Sequence, residues 1–66
     1  MKISWQGTLT ETNAATVAEF LEREGVDASG AVVEWNERMF APGDDLRGVA
    51  LEDGGTLSAF KVVAGG

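Results

Sequence analysis

Thr16-Val17-Ala18-Glu19-Phe20-Leu21-Glu22-Arg23-Glu24-Gly25 is the stretch on which the fold turns. A Thr three residues ahead of a Glu is the capping-box pattern, with Thr16 at the N-cap and Glu19 at N3. Val17, Phe20 and Leu21 recur at i, i+3 and i+4, which places them on one helical face. Glu19 and Arg23 form an i, i+4 pair in the favourable order, worth about 0.2–0.5 kcal/mol. Gly25 suits the left-handed C′ position, and Val26 at C″ then folds back on Leu21 at C3. The pattern predicts a helix over residues 17–24. A helix this short does not persist alone in water, so it requires a sheet to lie on.

On the N-terminal side, residues 2–12 alternate: Ile3 and Trp5 fall on one face, Lys2, Ser4 and Gln6 on the other, and Leu9 sits between Thr8 and Thr10. Gln6-Gly7 is the expected hairpin turn, because Gly accepts positive φ. On the C-terminal side, Ala31-Val32-Val33-Glu34-Trp35 is a second β-rich run. Asn36-Glu37 reads as a turn and Arg38-Met39-Phe40 as a short return strand, although Glu tolerates positive φ poorly. Pro42-Gly43-Asp44-Asp45 is turn chemistry, with room for a single helical turn through Leu46 and Arg47. Glu52-Asp53-Gly54-Gly55 is another turn, and Leu57 to Val63 form the last and most apolar strand. Strand, strand, helix, strand, short strand, strand implies a two-layer α+β domain, a mixed sheet with one main helix packed on one face. Phe20 and Leu21 are expected in the core, and Trp5 and Trp35 in the core or at its edge. The pattern leaves Met39 and Phe40 open.

The 66 residues have room for one domain, and 44% of them are hydrophobic, as in a globular chain. Eleven acidic against five basic residues give a net charge of −6, with no Cys and no His. An acidic chain repels phosphate backbones, so nucleic acid is not an expected partner. Without Cys or His there is no disulfide framework, thiolate nucleophile, imidazole base or zinc site of the usual ligands. No run approaches the ~18 apolar residues of a membrane span. Met1-Lys2-Ile3-Ser4-Trp5 lacks the layout of a signal peptide, so a cytoplasmic monomer is expected.

Ser, Thr and Lys are present, but no base stands ready to activate them. Asp44-Asp45 and Glu52-Asp53 lack the alternating ligand spacing of a calcium loop and lie in turns. With Glu11 and Asp27 they read as solvated surface. Gly54-Gly55 precedes a strand and so offers no helix N-terminus to a phosphate. Neither a catalytic site nor a metal or bound cofactor is expected.

The end of the sequence is different. Ala64-Gly65-Gly66 follows the most apolar strand without a turn or cap. A carboxylate is a poor electrophile, because resonance and negative charge deter attack, and joining it to AMP activates it. The residues before that carboxylate must then enter a narrow nucleotide site, which glycine allows by having no side chain and no restriction on φ. Fully extended, residues 62–66 reach about 17 Å. Residues 1–66 therefore read as a single domain with a flexible tail over 64–66, whose end is the reactive group of a protein substrate.

In this order and spacing the segments resemble the ThiS family, the ubiquitin-like sulfur carriers of thiamine biosynthesis. Met1-Lys2-Ile3 opens the first strand, and Thr16-Val17-Ala18-Glu19-Phe20-Leu21 is similar to the family's "TVxELL" helix start. Residues 32–42, ending in Pro42, resemble its strand, turn, short strand and Pro. Glu52-Asp53-Gly54 precedes the last strand, and Phe60-Lys61-Val62-Val63-Ala64-Gly65-Gly66 closes the chain. The sequence departs from the family at Asn36-Glu37, where Asn-Gly is frequent, at Gly55, where an acidic residue is common, and in its bulky Trp5 and Trp35.

The resemblance implies a β-grasp (ubiquitin-like) fold and a cycle of three acts. A ThiF-type enzyme uses ATP to adenylate the Gly66 carboxylate, with Ala64 and Gly65 entering its active site. A persulfide sulfur donor then converts the acyl adenylate into a thiocarboxylate. A ThiG-type thiazole synthase finally takes the sulfur. The molybdopterin-synthase small subunit, carriers of other pathways, a ubiquitin-like protein modifier and a plain interaction module are the alternatives. In the last strand Leu57 and Ala59 fit one face, and Phe60 and Val62 the other. A sheet covered by one helix buries only one face. Phe60, which the family places on its docking face, and Val62 are therefore expected as an exposed apolar patch beside the tail, unless residues 41–50 cover them.

Overall fold

The computed structural model describes residues 1–62. Its elements are β1 (Lys2–Trp5), β2 (Thr8–Glu11), α1 (Val17–Arg23), a 3-10 turn over Ala28–Gly30, β3 (Ala31–Trp35), β4 (Arg38–Phe40) and β5 (Thr56–Lys61). The strands form one mixed sheet in the order β2-β1-β5-β3-β4. β1 and β5 run parallel, and the other neighbours are antiparallel. A five-stranded mixed sheet carrying a single α-helix is the α+β arrangement the sequence implies.

The helix is held at both ends as its sequence predicts. The Thr16 hydroxyl accepts from the Glu19 N–H at 3.1 Å. The Glu19 carboxylate reaches back one residue further than a standard capping box and accepts from the Ala15 N–H at 2.9 Å. Val17 and Ala18 donate to the carbonyls of Val49 and Leu46, so residues 46–49 satisfy the first helical N–H groups. Gly25 has φ +74°, and the N–H of Val26 donates to Leu21 O at 2.9 Å, a Schellman ending. Glu24 is the C-cap, so the helix stops one residue short of the predicted span.

Two short pieces differ from expectation. Ala28–Gly30 is helical because the Asp27 carboxylate accepts from both the N–H and the hydroxyl of Ser29. The helical turn allowed through Leu46 and Arg47 does not form. Asp44 takes the Ala41 N–H and Asp45 takes the Arg47 N–H, and such local side-chain bonds compete with helix. The Arg47 guanidinium also donates to the Asp45 carboxylate at 2.9 Å, and this bond together with the Arg47 N–H lowers the Asp45 pKa to about 2.

The core lies between the sheet and α1. Ile3, Val17, Phe20, Leu21, Val33, Trp35 and Leu57 are buried there, joined by Leu46 and Leu51 from the long connection before β5. Trp5 meets Phe20 edge-on, with ring centroids 5.3 Å apart. Trp35 is fully in the core, and Trp5 packs at its edge. The structure also settles β4. Phe40 packs against the core, with the Arg38 guanidinium over its ring, while Met39 points to solvent.

Both hairpins turn on non-glycine residues with positive φ: Gln6 (51°) before Gly7, and Asn36 (49°) before Glu37 (71°). This is the type I′ turn, whose twist matches the strands. Left-handed backbone costs an ordinary residue about 1–2 kcal/mol, and glycine escapes that cost. Glu37→Gly is therefore expected to stabilise the protein by about 1 kcal/mol, read as a melting temperature higher by about 4–8 °C. Gly55 is the opposite case. A Cβ built there falls 2.1 Å from the Trp35 ring. Because that ring is locked in the core, Gly55→Ala is expected to cost about 1–3 kcal/mol in a denaturant titration.

Candidate functional site

β5 lies at the centre of the sheet, and its alternation sorts the candidate residues. Leu57 and Ala59 face the core; Thr56, Ser58 and Phe60 face the other way. The antiparallel register sets Val32 directly opposite Phe60 and Glu34 opposite Ser58. Met39 lies opposite Glu34 and Leu9 opposite Ser4, which extends the same outer face to both edges of the sheet. Leu9 is 68% exposed, Met39 61%, Phe60 55% and Val62 50%. The residues between them at the centre of the face carry hydroxyls: Ser4, Thr56 and Ser58.

Residues 41–50 do not cover this face. Leu46 and Val49 pack with the helix on the opposite side, and Thr16 bridges to Ala50 there. Phe60 and Val62 thus stand in solvent at the end of β5, with half-buried Val32 beside Phe60. Val32, Met39 and Leu9 extend the face beyond the two residues that the sequence singles out. Strand alternation could have found Val32 and Leu9, but assigning Met39 to the outer face required the β3–β4 register. Gly66, Gly65 and Ala64 lie outside the described residues.

The charge is unevenly distributed. Glu22 and Arg23 are exposed on α1 and Glu24 at its C-cap, and Asp44, Asp45 and Arg47 are exposed in the connection that packs beside it, so acidic groups outnumber basic ones there. The outer face carries Lys2 opposite Glu11, with Glu34 half-buried. The molecule therefore shows an acidic helical side and an apolar, hydroxyl-bearing sheet side.

The end of β5 is anchored by the first residue of the first hairpin turn. The Gln6 N–H donates to Leu57 O at 3.0 Å. Its side-chain amide donates to Ala59 O at 2.8 Å and accepts from the Ala59 N–H at 3.2 Å. The second hairpin does the same at the start of β5. Asn36 donates its N–H to Thr56 O at 3.0 Å, and its side-chain oxygen accepts from the Thr56 N–H at 2.9 Å. Nothing local in the sequence marks these bonds, because Gln6 and Ala59 are 53 residues apart. On the helix side of the same strand end, a groove of about 420 Å³ is lined by Gln6, Val26, Asp27, Ala31, Ala59 and Lys61. Hydrogen bonds from Ser29, helped by the charge of Lys61, hold the Asp27 carboxyl below its ordinary pKa, so it stays charged there.

Among the described residues, no group of three or more His, Cys, Asp or Glu side chains is placed to hold a metal ion, and no helix is long and apolar enough to cross a membrane. No family model matches the chain, and no curated protein matches it.

An exposed aromatic with no cover contributes little to folding. Phe60→Thr, which replaces the aromatic with another side chain that suits a strand, is expected to shift stability by no more than about 0.5 kcal/mol, measured by thermal melting.

Proposed function

We propose that this protein is a β-grasp sulfur carrier of the ThiS type, with the Gly66 carboxylate as its reactive group. One observation carries the reading. Phe60, on the face of β5 away from the helix, and Val62, just past the end of that strand, are both exposed ahead of Ala64-Gly65-Gly66 in the sequence. An exposed apolar patch of this kind is characteristic of a binding surface. The β-grasp assignment is supported by the mixed sheet, the order of its strands and the single helix on its inner face.

The chemistry follows from the carboxylate. A carboxylate oxygen of Gly66 attacks the α-phosphorus of ATP held by a ThiF-type enzyme, and pyrophosphate leaves. The resulting acyl adenylate is an electrophile. The terminal sulfur of a persulfide donor attacks its carbonyl carbon, and AMP leaves with the bonding electron pair. A thiol then cleaves the sulfur–sulfur bond, which leaves the thiocarboxylate on Gly66. A ThiG-type thiazole synthase takes that sulfur into the thiazole ring of thiamine. The carrier supplies no catalytic group. It supplies a narrow end for the nucleotide site and an apolar handle for each partner. Its acidic side steers encounter with basic partner surfaces.

The direct test is intact-mass spectrometry after incubation with ATP, a ThiF-type enzyme and a persulfide donor. The expected product is heavier by one oxygen-to-sulfur exchange, located on Gly66. Deleting Gly66 abolishes it. Phe60→Ser weakens binding to the adenylating enzyme about tenfold, as for loss of a central apolar contact. An unchanged mass, with an enzyme that is active on its own carrier, rejects the proposal. An isopeptide bond to a lysine would instead make the protein a modifier.

A further inference from the structure

We infer that Gln6 is a positioning residue, which aims the chain that leaves β5. β1 ends at Trp5, which pairs with Leu57. The backbone then turns away at Gln6, in a left-handed conformation that glutamine rarely adopts. The side chain does not follow. It lies along β5, and its amide bonds to both backbone groups of Ala59. A primary amide offers one carbonyl and an N–H donor, as a peptide unit does. Gln6 therefore acts as one more residue of β1 after the backbone has departed. Ala59 is held by Gln6 on one edge of β5, while Val62 donates to Gly30 O at 2.9 Å on the other.

Gln6 is exposed, so burial in the core does not account for its placement. What it fixes is direction. Phe60 and Lys61 remain paired to β3 and Val62 to Gly30, so loss of the Gln6 bonds loosens only the β1 edge of β5. A fully extended chain beyond Val62 spans about 13 Å, and a tilt of about 10° there moves the far end by about 2 Å. A shift of that size matters for a carboxylate that must meet a nucleotide, since misplacement by about 1 Å can cost a hundredfold in rate. The kinetic consequence rests on the carrier reading above; the anchoring of Ala59 does not.

Two variants separate the roles. Gln6→Met keeps length and bulk but makes no such hydrogen bonds. Gln6→Glu keeps the acceptor for the Ala59 N–H and loses the donor. In Gln6→Met, amide exchange at Ala59 is expected to accelerate at least about tenfold, with exchange at Ile3 and Val33 unchanged. In Gln6→Glu, Ala59 stays protected. Adenylation by a ThiF-type enzyme, followed as pyrophosphate release, is expected to show kcat about tenfold lower for Gln6→Met with KM within twofold, because the apolar patch is untouched. Unchanged exchange at Ala59, or faster exchange with wild-type kcat, overturns the inference. If the wild-type protein is not adenylated at all, the carrier reading falls instead. Gln6 is then judged by nitrogen-15 relaxation at Lys61 and Val62. Greater mobility in Gln6→Met supports the role, and unaltered relaxation overturns it.

Discussion

The parallel pairing of β1 with β5 is the contact on which the rest of this structure depends. It joins segments more than fifty residues apart, with Ser4 donating to Gly55 O at 2.8 Å and Gln6 to Leu57 O at 3.0 Å. Parallel neighbours cannot be joined by a tight turn. Everything between them, including the β2 hairpin, α1 and the β3–β4 hairpin, forms the crossover. Closing so long a loop is slow and entropically costly, and only the core formed on closure offsets it. β5 ends up central, flanked by β1 and β3, and held at its two ends by Asn36 and Gln6.

One helix can cover only one face of such a sheet. Phe20 and Leu21 fill the inner face, and the connection carrying Leu46 and Leu51 is drawn to the same side, where it caps the helix N-terminus. Among the described residues, nothing remains to cover the outer face. Its apolar residues are the consequence of a short chain whose apolar cover all lies on one side. In the reading proposed here, that uncovered surface is where partners take hold, beside the residues they process.

The helix was legible because its signals are local: a cap three residues from its partner, a stripe at helical spacing and a glycine stop. The β3 run and the exposure of Phe60 were legible too, since alternation along a strand needs only neighbouring residues. The turn at Asn36-Glu37 shows the limit of such reading. Its position was plain, but Glu37 adopts a left-handed conformation that its residue type disfavours, as a two-residue type I′ turn requires. Gly55 was read as a departure from a family pattern. In the fold it is the position that leaves room for the Trp35 ring.

Local signals, then, determined the main helix and the strands, their order and which face of β5 is apolar outside, because hydrophobic period and turn chemistry act over a few residues. Only the tertiary structure decided where the 41–50 connection packs, that Met39 faces out while Phe40 faces in, and that Gln6 and Asn36 grip β5. Those outcomes depend on register and on contacts between distant segments, and such contacts leave no periodic trace in the chain that makes them.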